Sequence, residues 1–171
     1  MESVRKLIRD IPDFPKKGIV FKDITPVLAD PTAMAAINGA FEKQLEGLKP
    51  QRIVGIEARG FIFGAVLAHT LRLPFSPVRK PGKLPYQRVS TSYKLEYGEG
   101  TLEMHTDGVR RGERVVIIDD LLATGGTAKA ACDLVEKQGA SVVACAFVVE
   151  LGFLGGRKLL EGRRIVALTN Y

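Results

Sequence analysis

Residues 115–127 read VVIIDDLLATGGT: four branched apolar residues, two adjacent carboxylates, then a small-residue loop that closes on Gly-Gly-Thr. An unbroken apolar run of this kind reads as a strand covered on both faces, the situation of a parallel sheet between helices. Two acids closing such a strand need a reason, because burying them without partners is costly. In open parallel α/β sheets ligands bind beyond the carboxyl ends of the strands, and Asp119 and Asp120 stand at such an end. Behind them Ala123, Thr124, Gly125, Gly126 and Thr127 lead into a helical pattern. Small side chains let backbone N–H groups approach a ligand, and the helix N-terminus adds partial positive charge. The stretch therefore joins a phosphate cradle to carboxylates that can accept hydrogen bonds from hydroxyls or bind a metal. A sugar phosphate carries both kinds of group. No G-x-x-x-x-G-K-[ST] and no G-x-G-x-x-G after a strand is present, which excludes an ATP-type phosphate loop and a dinucleotide fingerprint.

Outward from this stretch the chain alternates in period. TAMAAINGAFEKQLEGL (32–48) reads as helix, RIVGI (52–56) as strand, GFIFGAVLAHTLRL (60–73) as helix and FSPVR (75–79) as strand. STSYKLEY and TLEMHT alternate apolar with polar around Gly98-Glu99-Gly100, a hairpin with one solvated face. RVVIID (114–119) is a strand ending at the acids, GTAKAACDLVEKQ a helix closed by Gly139, and SVVACAFVVEL and RRIVALTN are strands. The class is α/β, with a central, mostly parallel sheet flanked by helices. No repeat or linker divides the chain, so residues 1–171 are expected to form one domain. The segment IPDFPKKGIVFKDITPVLADP is too rich in proline and turn residues for the sheet, and residues 1–35 or so are expected to form an N-terminal cap.

A chain of 171 residues can bury roughly two-thirds of its unfolded surface without staples. Cys132 and Cys145 have no metal-ligand spacing and lie in apolar segments, as reduced, buried thiols of a cytoplasmic protein would. No membrane span is long enough, and residues 1–9 carry charges where a signal peptide needs apolar residues. Of the net charge of +6, the segment 79–95 supplies +5 through Arg79, Lys80, Lys83, Arg88 and Lys94, with no acid among them. Charge concentrated in one Pro/Gly-containing segment suits a local anion-gripping loop better than a nucleic-acid surface. Neither a nucleic-acid nor a membrane partner is expected.

VVIIDDLLATGGT resembles the phosphoribosyl pyrophosphate signature of the type I phosphoribosyltransferases, and its Leu-Leu-Ala-Thr-Gly-Gly-Thr form is similar to that of the adenine-using members. DFPKKGIVFKDITPVL (13–28), GIEARGFIFG (55–64), VRKPGKLP (78–85) and YKLEYG (93–98) resemble the same enzymes in the same order. The resemblance implies the type I phosphoribosyltransferase fold with a flexible hairpin lid. It implies transfer of the phosphoribosyl group of phosphoribosyl pyrophosphate to adenine, giving AMP and pyrophosphate, with Mg2+ arriving mainly on the substrate. It also implies a homodimer.

Carried over by position, Asp119 and Asp120 would hold the ribose hydroxyls and stabilise positive charge developing on the ring. Ala123, Thr124, Gly125, Gly126 and Thr127 would wrap the 5′-phosphate. Glu57, Ala58, Arg59 and Gly60 make a second strand-to-helix junction that resembles the pyrophosphate loop, including a cis peptide between Glu57 and Ala58. Arg79, Lys80 and Lys83 would belong to the cationic lid that excludes water, with Arg79 reaching a neighbouring subunit. In the cap, Val20 and Lys22 would meet the edge of the base, with Phe21 and Leu121 on its faces. Glu96, beside Tyr97, would handle a proton on the purine. His69 and His105 are assigned to structure; Tyr86 and Arg88 receive no role. Two rivals are a regulator built on the same domain, which calls for a helix-turn-helix or a distributed basic face that the sequence lacks, and an enzyme for another purine, which the cap argues against.

Overall fold

Residues 1–94 and 99–171 are described by the computed structural model, in two units, Met1–Ala40 and Phe41–Tyr171. The first holds helix α1 (Glu2–Leu7), strands β1 (Arg9–Pro12) and β2 (Val20–Asp23), the short helix α2 (Thr25–Leu28) and the start of α3 (Pro31–Leu45). β1 and β2 pair antiparallel, Arg9 opposite Asp23 and Pro12 opposite Val20. The link between them turns at Gly18, whose φ is +88° and whose N–H donates to Asp13 Oδ1 at 2.7 Å. Asp30 caps α3, accepting from the N–H groups of Thr32 at 2.8 Å and Ala33 at 3.0 Å, with Pro31 at the first helical position. Ala33, Ile37, Phe41 and Leu45, four residues apart, form the buried stripe of α3. The proline-rich N-terminal segment thus stays out of the main sheet, as expected.

The second unit contains β3 (Arg52–Ile56), α4 (Gly60–Leu71), β4 (Phe75–Val78), β5 (Arg88–Lys94), β6 (Glu99–His105), β7 (Arg114–Leu122), α5 (Gly126–Lys137), β8 (Ser141–Glu150), two 3-10 turns (Gly152–Leu154 and Gly156–Leu160) and β9 (Ile165–Asn170). Five strands form a parallel sheet in the order β4-β3-β7-β8-β9. β5 and β6 form a separate antiparallel hairpin, tied to the end of β4 by a backbone bridge between Arg79 and Glu103. Val115 and Ile117 of β7 join a core with α5, Leu102 and Met104, whereas Ile118 meets α4 where Gly64 leaves room for it. The sheet is covered on both faces, which is why β7, after its exposed first residue Arg114, is apolar from Val115 to Ile118. Each such buried side chain contributes about 1.5–3 kcal/mol.

Several boundaries shift by two or three residues, the helix expected over 32–48 ending at Leu45 for example, and one shift bears on the acids. β7 does not end at Asp119 but runs on to Leu122, because Leu121 and Leu122 pair with Val149 and Glu150 of β8. On its other side the pairing with β3 stops at Ile118. The two acids stand where one neighbouring strand has ended and the other continues, so the carboxyl-end geometry holds along one edge only. Cys132 and Cys145 are buried free thiols, their sulfurs 3.5 Å apart. Among the described residues no helix is long and apolar enough to cross a membrane.

Candidate active site

A cleft of about 700 Å³ opens at the carboxyl ends of β3 and β7 and is walled by the loop before α5, the end of β4 and the hairpin. Glu57, Ala58, Arg59, Lys80, Asp119, Asp120, Leu121, Ala123, Thr124, Gly125 and Thr127 all line it. The chain thus collects in one place residues that its sequence spreads over three segments.

Asp120 is buried, and its backbone N–H donates to Asp119 Oδ1 at 2.9 Å. Arg59 approaches Asp120 Oδ2 to 2.9 Å as an ion pair, yet among the described residues no aligned donor satisfies that oxygen. An unsatisfied buried acceptor facing a cleft is what a hydroxyl ligand or a cation would complete. Burial, and then the neighbouring Asp120 charge, push the Asp119 carboxyl well above the usual carboxylate range. Burial also raises Asp120, against the pull of Arg59. α4 begins pressed onto this strand: a Cβ on Gly60 would lie 2.7 Å from Asp119 Oδ1 and 2.8 Å from the Ile118 carbonyl oxygen. Glycine at 60 is therefore a requirement of space.

Among the described residues no cluster of three or more His, Cys, Asp or Glu could hold a metal. Two adjacent carboxylates fit a Mg2+ that shares its shell with substrate oxygens and water, not a protein-built cage.

The peptide between Glu57 and Ala58 is cis. The Glu57 carboxylate accepts from Arg79 Nε at 3.2 Å, from an Arg79 terminal nitrogen at 3.1 Å and from the Lys80 N–H at 2.9 Å. These bonds, the Arg79 side chain first, hold it below the usual range. Arg79 also donates to the Lys83 carbonyl at 3.1 Å, and within this chain neither Arg79 nor Lys83 is among the residues that line the cleft. Glu103, buried on β6, takes a second arginine of the basic segment, accepting from Arg88 Nε at 3.0 Å, and also accepts from the Gly82 N–H at 3.1 Å. Tyr86 packs edge-on to His105 with centroids 6.0 Å apart.

In the loop before α5, Gly125 has φ +85° and stands at the helix N-cap, and Gly126 opens the helix. A Cβ on Gly125 would collide with the Gly156 carbonyl oxygen, and one on Gly156 with the Ala123 carbonyl oxygen. Backbone lies directly on backbone here. The 3-10 turn that supplies Gly156 is anchored next door by Arg157, which donates to both carboxylate oxygens of buried Glu150, at 2.6 and 2.7 Å. Glu150, Gly156 and Arg157 were not marked by the sequence; Gly155-Gly156-Arg157 was the only local signal. Tyr93, Gly100, Thr101 and Leu102, from the hairpin, are further lining residues that the sequence did not single out.

Val20, Phe21 and Lys22 lie on β2 in the N-terminal unit. Val20 is exposed, Phe21 packs edge-on to Phe14 at 5.2 Å, and Lys22 Nζ pairs with Asp10 at 2.6 Å. Glu96 and Tyr97 fall outside the described residues.

The sequence matches the phosphoribosyl transferase domain family over residues 24–159. It is 55% identical over 171 residues to an adenine phosphoribosyltransferase of Anaeromyxobacter sp. (strain Fw109-5), covering 100% of this chain and 97% of that one. The structure superposes on the crystal structure of adenine phosphoribosyltransferase from Thermoanaerobacter pseudethanolicus with a TM-score of 0.97 at 54% identity, covering 99% of each chain. It is also similar to the Saccharomyces cerevisiae enzyme complexed with an imino-altritol bisphosphate and adenine, with a TM-score of 0.93 at 38% identity over 98% of this chain and 97% of that one. A sheet of this order, with paired acids and a glycine loop at its carboxyl edge, together with full-length identity above half, places the chain in the phosphoribosyltransferase family, among the adenine phosphoribosyltransferases.

Proposed function

We propose that this chain transfers the phosphoribosyl group of phosphoribosyl pyrophosphate to adenine, releasing pyrophosphate and forming AMP, as a cytoplasmic homodimer that takes up Mg2+ with its substrate. The observation that carries the reading is the Asp119–Asp120 pair, Asp120 buried against Arg59 and Asp119 half-buried, opening into the same cleft as the Ala123–Thr127 loop. The amides of that loop, the Thr127 N–H among them, and the hydroxyl of Thr124 grip the 5′-phosphate. Ribose hydroxyls donate to the carboxylates, which complete the Asp120 oxygen and favour ionisation of the pair. When the bond from the sugar C1′ to pyrophosphate breaks and a purine ring nitrogen bonds to C1′, positive charge on the ribose is stabilised by these acids. Arg59 and Lys80 meet the departing pyrophosphate, and Arg79 and Lys83 support that wall, with Arg79 also available to a partner subunit's cleft. Mg2+ supplies neutralisation of the phosphate charge when bound. Val20 and Lys22 read the base edge through their backbone, Phe21 and Leu121 cover its faces, and Glu96, beside Tyr97, exchanges the purine proton.

The test is pyrophosphate release from phosphoribosyl pyrophosphate and Mg2+ with adenine, hypoxanthine, guanine and xanthine supplied separately. Release with adenine alone is expected. Release with another base overturns the reading of the N-terminal unit and leaves the sugar site; no release with any base sinks the enzyme.

A further inference from the structure

The hairpin brings a phenol into the cleft that none of these roles uses. Tyr93, on β5, lines the cleft, and Thr127 Oγ1 donates to its hydroxyl oxygen at 3.3 Å. Thr127 lies in the first turn of α5, where the glycine loop ends. The contact therefore joins the hairpin to the loop directly.

The ring is held in place. Opposite Tyr93 in the hairpin register is Gly100, and a Cβ there would fall 2.6 Å from Tyr93 Cζ and 2.8 Å from its hydroxyl oxygen. Glycine within a strand weakens it, so its presence at position 100 points to close packing, and here the packing partner is the Tyr93 ring. The inner part of the ring rests on the core around α5. The hydroxyl is thus aimed at the loop by a groove, a core contact and a hydrogen bond. Since Thr127 donates to it, the phenol keeps its own hydrogen, and among the described residues no acceptor takes that hydrogen. A donor without an acceptor, at the edge of a loop rich in amide donors, suits an anion with several oxygens.

We propose that Tyr93 belongs to the 5′-phosphate site: its hydroxyl donates to a phosphate oxygen held by the Ala123–Thr127 loop and ties the hairpin to the occupied cradle. This rests on the reading of that loop as the sugar-phosphate cradle. A ring that served the core alone would need no hydroxyl and no contact with Thr127. The hairpin then recognises the substrate through strand β5, independently of the residues at its tip.

Calorimetric titration of the full chain with ribose 5-phosphate and, separately, with magnesium pyrophosphate tests the assignment. Tyr93→Phe keeps the ring in its groove and removes only the donor. It is expected to weaken ribose 5-phosphate about tenfold, the scale of one lost hydrogen bond to a charged group, and to leave pyrophosphate within about twofold. Gly100→Ala is expected to reproduce the loss by displacing the ring, and to add nothing in a Tyr93→Ala background. Unchanged ribose 5-phosphate binding by Tyr93→Phe overturns the proposal. So does an equal loss for both ligands with a lowered Tm, which marks the ring as core filling. Wild-type protein that binds pyrophosphate but not ribose 5-phosphate removes the cradle itself, and the proposal with it.

Discussion

Asp119 carries two burdens that separate cleanly by experiment. In the proposed role as acceptor for the sugar it is needed ionised, yet its surroundings disfavour the charge, first by burial and then by Asp120. A carboxyl whose folded pKa is raised leaves stability intact below the unfolded value of about 3.9 and erodes it as pH rises from there toward the folded value. Asp119→Asn is therefore expected to raise Tm near neutral pH, with the advantage over wild type shrinking as pH falls into the ordinary carboxylate range. A melting series across pH checks it, and a constant difference at all pH values would refute the electrostatic account. The gain in stability accompanies a loss of function, as at many strained sites. Asp119→Asn with Asp120→Asn is expected to lower kcat by about 10²–10³, the scale of losing preorganised charge stabilisation, with the fold retained by circular dichroism. Near-normal turnover would remove the pair from the mechanism. At this scale the residues lining the cleft were legible wherever they stand consecutively in the chain. Asp119 through Thr127 could be read because strand, acids and loop are contiguous. Tyr93 could not, because hairpin alternation gives no reason to choose one aromatic over another, and the reason, Gly100 across the register, is a property of pairing.

Among the elements, the glycine loop is held by something the sequence does not place near it. Gly125 and Gly156 approach at the limit of backbone contact, so the loop keeps its shape only while the 3-10 turn stays seated. Arg157 seats it, through two hydrogen bonds to a Glu150 carboxylate that is 3% exposed. Removing the arginine leaves Glu150 buried and unpaired. Arg157 is itself half exposed, so solvent screens part of the interaction. Arg157→Ala is expected to destabilise the fold by about 1–3 kcal/mol. It is also expected to raise KM for phosphoribosyl pyrophosphate more than KM for adenine, since the loop it supports is the proposed phosphate cradle. Denaturant unfolding and steady-state kinetics measure the two effects; a lower stability with unchanged KM would make the turn a structural anchor alone. Helix and strand limits such as Arg52–Ile56 and Gly126–Lys137 were close to what periodicity predicts. β7 was three residues longer than expected, because β8 reaches beyond β3, and only the relative lengths of neighbouring strands could have revealed it.

At the scale of the whole molecule, the charge of the sequence is redistributed by folding. Of the five basic residues between 79 and 95, Arg79 is paired with Glu57 and Arg88 with Glu103. Both acids come from outside the segment, so no count along the sequence could have cancelled them. Lys80 and Lys83 make no salt bridge among the described residues, and Lys80 lines the cleft. The field that guides an anionic substrate is thus narrower than the net charge of +6 suggests, and it sits at the wall proposed to meet pyrophosphate. Screening with a Debye length of about 8 Å at physiological ionic strength acts on such a field from a distance and leaves closely held contacts less affected. Raising the salt from about 0.05 to 0.5 M is therefore expected to raise KM for phosphoribosyl pyrophosphate several-fold in the wild type, with KM for neutral adenine nearly constant. Lys80→Ala with Lys83→Ala is expected to start from a higher KM and to show a flatter dependence on salt. Initial rates over a salt series decide it: parallel slopes for wild type and double variant would mean that the substrate is drawn by charge elsewhere, and a salt-dependent KM for adenine would mean that ionic strength acts on the fold and not on the encounter.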